Sequence, residues 1–166
     1  VAVSSILVAQ EGNSSFIKVV GRGSFQNAGL VKTYAERVAR QGVVSFVIDL
    51  QDCSYMDSTF MGVLAGLARQ QRERNAPAPR IVHLNPRTTE LLTNLGLDRI
   101  LDLEPPAPPT QPNLQPLHAD RPPSKTETAQ TMLEAHRHLI ESHHDNAAKF
   151  QDVVQFLEAK LGQRPD

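Results

Sequence analysis

The spacing of apolar residues changes character along the chain, and each change predicts an element. SSILVA (4–9) and SSFIKVVG (14–21) alternate as two strands around the turn-forming EGN, which predicts a hairpin. In the second strand Phe16, Lys18 and Val20 share one face and Ile17 and Val19 the other. From about Asn27 to Arg40, Leu30, Val31, Tyr34 and Val38 recur at helical spacing, and Gly42 stops the run. VVSFVIDL (43–50) is almost wholly apolar and rich in β-branched residues, the signature of a central strand buried on both faces. After it, Phe60, Val63, Leu64, Leu67 and Gln71 form one helical stripe, with Arg69, Arg72 and Glu73 outside it. Asn75 to Pro79 break that helix, and RIVHL (80–84) predicts the next strand. Pro86 opens a short helix carrying Leu91, Leu92 and Leu95, Gly96 closes it, and RILDL (99–103) predicts a last strand. The order β-β-α-β-α-β-α-β predicts an α/β domain over residues 1–104, a mixed sheet with helices packed on it.

Two further segments follow. Residues 105–123, PPAPPTQPNLQPLHADRPP, predict an extended, semi-rigid linker with neither a hydrogen-bonding backbone nor a core. Residues 124–162 predict helix. Ser124 and Glu127 have capping-box spacing, and Gly162 with Pro165 marks the end. Ala129, Leu133, His136, Ile140, His143, Ala147, Phe150, Val154, Leu157 and Leu161 alternate steps of four and three, as in a heptad seam. That seam makes the C-terminal segment a candidate for homo-oligomerisation. A second capping-box spacing at Ser142–Asp145 allows a helical hairpin as well as one long helix, with a break near Ser142 favoured.

Composition narrows the function. A 166-residue chain with 40% hydrophobic and 21% charged residues has the make-up of a globular protein. A net charge of -1 supplies no electrostatic reason for a nucleic-acid or membrane partner. No apolar run approaches the about 20 residues that span a bilayer, and VAVSSILVAQEG lacks the basic start and apolar core of a signal peptide. The single cysteine, Cys53, fits a reducing cytoplasm and reads as a packed thiol, without neighbouring cations to activate it.

No set of residues supports catalysis. His136, His138, His143 and His144 lack the spacing of three or four that chelation on one helix requires, so neither a metal nor a cofactor is expected. Asp49 ends a buried strand, as a phosphoacceptor aspartate does, but the acidic pair and lysine of such sites are missing. The stretch YMDSTFMG (55–62) stands apart. Asp57, Ser58 and Thr59 sit where the central strand region gives way to a helix. A helix N-terminus tolerates anions, so a phosphate on Ser58 would be accepted without unfolding. Asp57 or Ser58 as a simple helix cap is the competing reading.

The segments FVIDLQDCSYMDSTFMGVLAGL and RIVHLNPRTTELLTNLGLDRIL resemble a STAS domain, the fold of bacterial anti-sigma factor antagonists. The matching pieces are Ile48-Asp49-Leu50, Ser54-Tyr55-Met56-Asp57-Ser58, Gly62, and Leu95-Gly96-Leu97 with Ile100 and Leu101. The resemblance implies a non-enzymatic regulator acting by partner switching. An anti-sigma factor that is a serine kinase would phosphorylate Ser58, with Thr59 as second candidate, and a PP2C-type phosphatase would reset it. Partner contact would then fall on Asp57, Ser58, Thr59, Phe60 and Ser24. The chain departs from the family pattern twice. Phe60-Met61 replaces Gly-Leu after the hydroxyl pair, and Gly21-Arg22-Gly23-Ser24 lacks the acidic pair of G-E-L-D. A constitutive STAS scaffold without phosphorylation, as in a stressosome-like or transporter-associated assembly, is the alternative.

Overall fold

A computed structural model describes residues 4–103 and 112–162. Strands β1 (Ser5–Glu11) and β2 (Ser14–Gly23) form the expected hairpin, antiparallel from Ser5↔Val20 to Glu11↔Ser14. Gly12 makes the turn at φ 61, a backbone region open to glycine at little cost. In β2 Ser15, Ile17 and Val19 are buried, as the alternation requires, and Gly23 is buried at its end. Helix α1 (Phe25–Arg40) turns Ala28, Val31, Tyr34, Ala35 and Val38 inward.

Strand β3 (Ser45–Asp49) is central, with Phe46, Val47 and Ile48 all buried. It lies parallel to β2 on one side and to β5 (Arg80–Val82) on the other. Among the described residues the sheet order is β6-β5-β3-β2-β1-β7, where β6 is Asp102–Leu103 and β7 is Gln115–Pro116. Helix α2 (Ser58–Glu73) follows β3 and the short strand β4 (Cys53–Met56), and α3 (Pro86–Asn94) follows β5. Gly96, at φ 72, ends the α3 region and leads into a 3-10 turn over Leu97–Arg99.

Periodicity does not announce β4. It pairs in parallel with the last residues of β2, Gly21 to Gly23, through a register shift at Gly21/Arg22. Four residues beside an irregular partner are too few to show alternation.

The linker differs from its expectation. Within the described part, Gln115 and Pro116 pair antiparallel with Val8 and Leu7, and the Leu117 N–H donates to the Ile6 carbonyl at 2.8 Å. Proline is compatible with that position because β7 is an edge strand, where a missing N–H interrupts no further ladder. Leu117 also packs against the core. Residues 105–111 of the linker, and residue 104 before it, lie outside the described residues.

The C-terminal segment is a helical hairpin, α4 (Lys125–Ser142) and α5 (Asn146–Gly162). Ser124 and Glu127 form the expected capping box, and Arg121 with Ser124 holds the Glu127 carboxyl down at about 2. The break falls at His143–Asp145, but Ser142 is not a cap. It ends α4, and its hydroxyl donates back to the His138 carbonyl at 2.6 Å. The heptad seam folds on itself: Ala129, Leu133 and Leu157 form one buried cluster, with Val154 and Leu161 packed against it. Nor does the hairpin stand apart from the sheet domain, since Ala135 and Leu139 of α4 belong to the main core cluster.

The tie between α1 and the sheet is partly polar. Ser15 and Tyr34 are both buried, and their hydroxyl oxygens lie 2.6 Å apart. Tyr34→Phe leaves Ser15 with only a long contact to the Ala9 carbonyl, and is expected to cost about 1–2 kcal/mol in denaturant unfolding. A double-mutant cycle with Ser15→Ala should show coupling; strict additivity would mean that the pair contributes nothing jointly.

Candidate functional site

The ends of β2 and β4 and the N-termini of α1 and α2 meet at one end of the sheet, and Asp57 joins them. Its Oδ1 accepts the Phe60 N–H at 2.9 Å, capping α2, while Oδ2 accepts the Phe25 N–H at 2.8 Å, at the start of α1. The Asp57 N–H in turn donates to the Gly23 carbonyl at 2.9 Å. One carboxylate therefore serves two positive helix ends, each favourable for an anion.

Ser24 caps α1: its hydroxyl accepts the Gln26 N–H at 3.2 Å, and Asn27 closes the capping box. Ser24 and Asp57 are thus neighbours across the two helix starts. The bland reading of Asp57 as a cap holds, and Ser58 is the first residue inside α2. Around this end, Arg22 and Arg87 place their guanidinium groups over the Tyr55 ring at 5.2 and 5.3 Å. Arg22 stands in the segment where the family pattern has an acidic residue.

The remaining expected contact residues are less accessible than the sequence suggests. Thr59 is 3% exposed and Phe60 is 0% exposed. Phe60 presents no ring to a partner; it opens the apolar stripe of α2 and lies flat against Gly23, where an added Cβ would sit 2.7 Å from the ring. A side chain at position 23 and an aromatic ring at position 60 exclude one another.

Ser58 is half-buried, and its Oγ lies 2.9 Å from Nε2 of His136 on α4. The other ring nitrogen, Nδ1, lies 2.6 Å from the Met132 carbonyl, which can only accept, so Nδ1 carries a proton. In the neutral ring Nε2 is then the acceptor, and the Ser58 hydroxyl donates to it. His136 is itself buried, with the Phe150 ring of α5 set edge-on at 5.3 Å. The sequence placed His136 only in the helical seam; its pairing with a residue 78 positions earlier carries no local signal.

A signal for the docking of α4 is present in α2, however. Gly62 and Gly66 stand one turn apart on its outer side, in a helix that is apolar nearly all round. A Cβ on Gly62 would overlap the Ala135 carbonyl and lie 2.7 Å from the Ala135 Cβ; one on Gly66 would lie 2.8 Å from the His138 ring.

Other chemistry-bearing groups are accounted for locally. Asp49 bonds His83 Nδ1 at 2.9 Å across β3 and β5. Burial pushes the Cys53 thiol up, away from reactivity. The hairpin turn gathers ring nitrogens and a carboxylate of His143, His144 and Asp145 within 4.8 Å, but His143 Nδ1 already accepts the Asp145 N–H at 3.1 Å. No helix among the described residues is long and apolar enough to cross a membrane.

Two outcomes are expected. Gly23→Ala should lower stability by about 1–3 kcal/mol through overpacking, and Phe60→Leu added to it should recover part of the loss in the denaturant midpoint. His138, at the α2–α4 contact, is held below the ordinary histidine range mainly by burial; Arg69 and Lys32 act in the same direction and Glu141 and Glu134 oppose it. The unfolded chain therefore takes up this proton first, and stability contributed by the neutral ring is lost as pH falls below about 6.5. Thermal unfolding should show a drop in Tm between about pH 7.5 and 5.5 that shrinks in His138→Gln.

Comparison with known proteins places this arrangement. The family model described as "Mlab, STAS domain" matches residues 6–103. No curated protein sequence matches. Among solved structures, a Thermotoga maritima protein provisionally described as an anti-sigma factor antagonist is 18% identical, with a TM-score of 0.54 over 60% of this chain and 85% of its own. An anti-sigma factor antagonist from Mycobacterium paratuberculosis is 20% identical, with a TM-score of 0.53 over 63% of this chain and 87% of its own. The antagonist SpoIIAA in its unphosphorylated form is 14% identical, with a TM-score of 0.52 over 62% and 90%. At these identities the structures share the fold, while the family match spans more than half of the sequence. The chain belongs to the STAS domain family.

Proposed function

We propose that the protein is an anti-sigma factor antagonist of the STAS type, a non-enzymatic regulator of transcription switched by phosphorylation at Ser58. Its partner is an anti-sigma factor that is also a serine kinase, bound by the unphosphorylated form in the cytoplasm. Transfer forms a bond from Ser58 Oγ to the γ-phosphorus of the kinase's nucleoside triphosphate, breaks the bond to the diphosphate, and releases the hydroxyl proton. A PP2C-type phosphatase reverses the state by hydrolysis.

The observation that carries this reading is the position of Ser58. It is the first residue of α2, directly after the Asp57 cap and beside the α1 start, at the end of the sheet where two helix N-termini converge. Free N–H groups and the helix dipole there stabilise a dianion. Support also comes from the fold neighbours, one of which, SpoIIAA, is named in both unphosphorylated and phosphorylated forms. The contact surface in this reading consists of Asp57, Ser58 and Ser24, flanked by Arg22 and Tyr55; Thr59 and Phe60 support it from below.

A second reading has one observation in its favour. The Ser58 hydroxyl is already engaged by His136, which suits a constitutive scaffold in which Ser58 is never modified. Oligomerisation through the C-terminal segment would then use surface outside the internal seam, such as Phe156, which is 66% exposed.

Incubation with the cognate kinase and nucleotide, followed by phosphopeptide mass spectrometry, separates the two. Phosphate is expected on Ser58 and absent in Ser58→Ala, and Ser58→Asp should weaken kinase binding at least tenfold, about 1.4 kcal/mol. An unmodified 55–62 peptide together with unaltered binding of Ser58→Asp would sink the switch and favour the scaffold.

A further inference from the structure

We infer that the α4–α5 hairpin is an intramolecular occupant of the Ser58 docking face, and that a protein partner reaches Ser58 only when α4 lifts from α2. The inference rests on the proposed function for the importance of Ser58, but its geometry stands alone. A phosphoryl group transferring to Ser58 must come within bonding reach of its Oγ, with that oxygen opposite the leaving oxygen on phosphorus. Along α4 the oxygen is met by the His136 imidazole at 2.9 Å, and Phe150 of α5 backs the ring. The half-buried hydroxyl is therefore contacted by residues that lie outside the STAS match, which ends at residue 103.

The contact has the build of a docked surface. At its centre Gly62 and Gly66 let α4 approach the α2 backbone, with buried Ala135 against the first and the His138 ring against the second. At its rim stand ion pairs, Lys32–Glu134 at 3.4 Å and Arg69–Glu141, all partly exposed. Exposed pairs of this kind contribute little and are readily exchanged for a partner's own. Between α1, α2 and α4 the fit is incomplete. A cavity of about 60 Å³ is lined by Val31, Leu67, Gln70 and His138, and Gln70 Nε2 and His138 Nδ1 have no hydrogen-bond partner. Opening the seam would return both atoms to water, which offsets part of the apolar surface lost.

The hairpin also has an anchor and a tether. Buried Asn146 donates through Nδ2 to the Leu95 carbonyl at 2.9 Å, which ties the hairpin to the sheet domain, and to the Leu139 carbonyl of α4 at 2.8 Å, while its Oδ1 has no partner. Every residue from His118 to Lys125 is exposed, so the segment joining β7 to α4 lets the hairpin move without pulling on the sheet. A partner helix presenting small residues and acidic groups to α2 would replace α4 on the same glycines and on Lys32 and Arg69.

Access to position 58 can be read in the full-length chain by thiol modification. Ser58→Cys supplies the reporter, and the native Cys53, 2% exposed beneath the same region, reports unfolding of the domain. With a maleimide probe and peptide mapping, the introduced thiol should react slowly. Adding Ala135→Arg, a wedge carried by α4 alone, should speed it at least tenfold while Cys53 stays protected. His136→Ala, which removes the cover without adding bulk, should also speed it and serves if the wedge variant does not fold. Equal rates with and without these changes would overturn the proposal, as would position 58 and Cys53 reacting together in both variants, because the hairpin would then not be separable from the domain. The labelling reads access only, so a lack of phosphate on Ser58 would remove the proposed function and leave this result unaffected.

Discussion

Helix α4 approaches α2 over Gly62 and Gly66 closely enough that a methyl group at either position would collide with it. That approach sets the environment of everything near the start of α2. An amphipathic helix on a sheet normally keeps one face in water. In α2 the buried set includes Met61, Gly62 and Ala65 as well as Phe60, Leu64 and Leu67, because the sheet domain takes one side and α4 the other. The same approach carries His136 to Ser58 and sets Leu139 into the main core.

The start of α2 is held from beneath by Asp57. Its two carboxylate oxygens satisfy N–H groups at the beginnings of two helices, so the relation of α1 to α2 and the placement of Ser58 share one side chain. Capping does not occupy the Ser58 hydroxyl, since Asp57 supplies the cap and the hydroxyl meets His136 instead. The exchange of glycine and bulk follows the same economy of space. Where the family pattern has glycine after the hydroxyl pair, this chain has Phe60, and glycine appears instead at position 23, under the ring. The Phe60 departure is accommodated inside the domain, with its ring packed at Gly23.

The site's local chemistry was legible because it is built from near neighbours. Asp57 with Phe60 and Ser124 with Glu127 are bonds across three residues, and capping spacing shows them directly; the Ser24–Asn27 box has the same spacing but lies before the point where the helical period becomes visible. The pairings that were not legible span long separations or short elements. Strand β4 is too short to alternate, β7 lies in a proline-rich run whose edge position only the sheet supplies, and Ser58 meets His136 across 78 residues. Ser142 illustrates the limit of spacing itself: the box pattern is present, yet the hydroxyl turns back to the His138 carbonyl of the helix it ends.

By itself, the sequence determined the hairpin, the buried central strand, the order of the helices and of the strands other than β4 through residue 103, and a cap at Asp57 or Ser58, because hydrophobic period and capping chemistry act locally. Tertiary structure decided which face of each helix had a second partner. The heptad-like seam of the tail was equally compatible with another chain or with itself, since apolar surface is not directional. The turn at His143–Asp145 and the glycines of α2 resolved that choice inside the chain, and so placed a histidine over the serine on which the proposed switch depends.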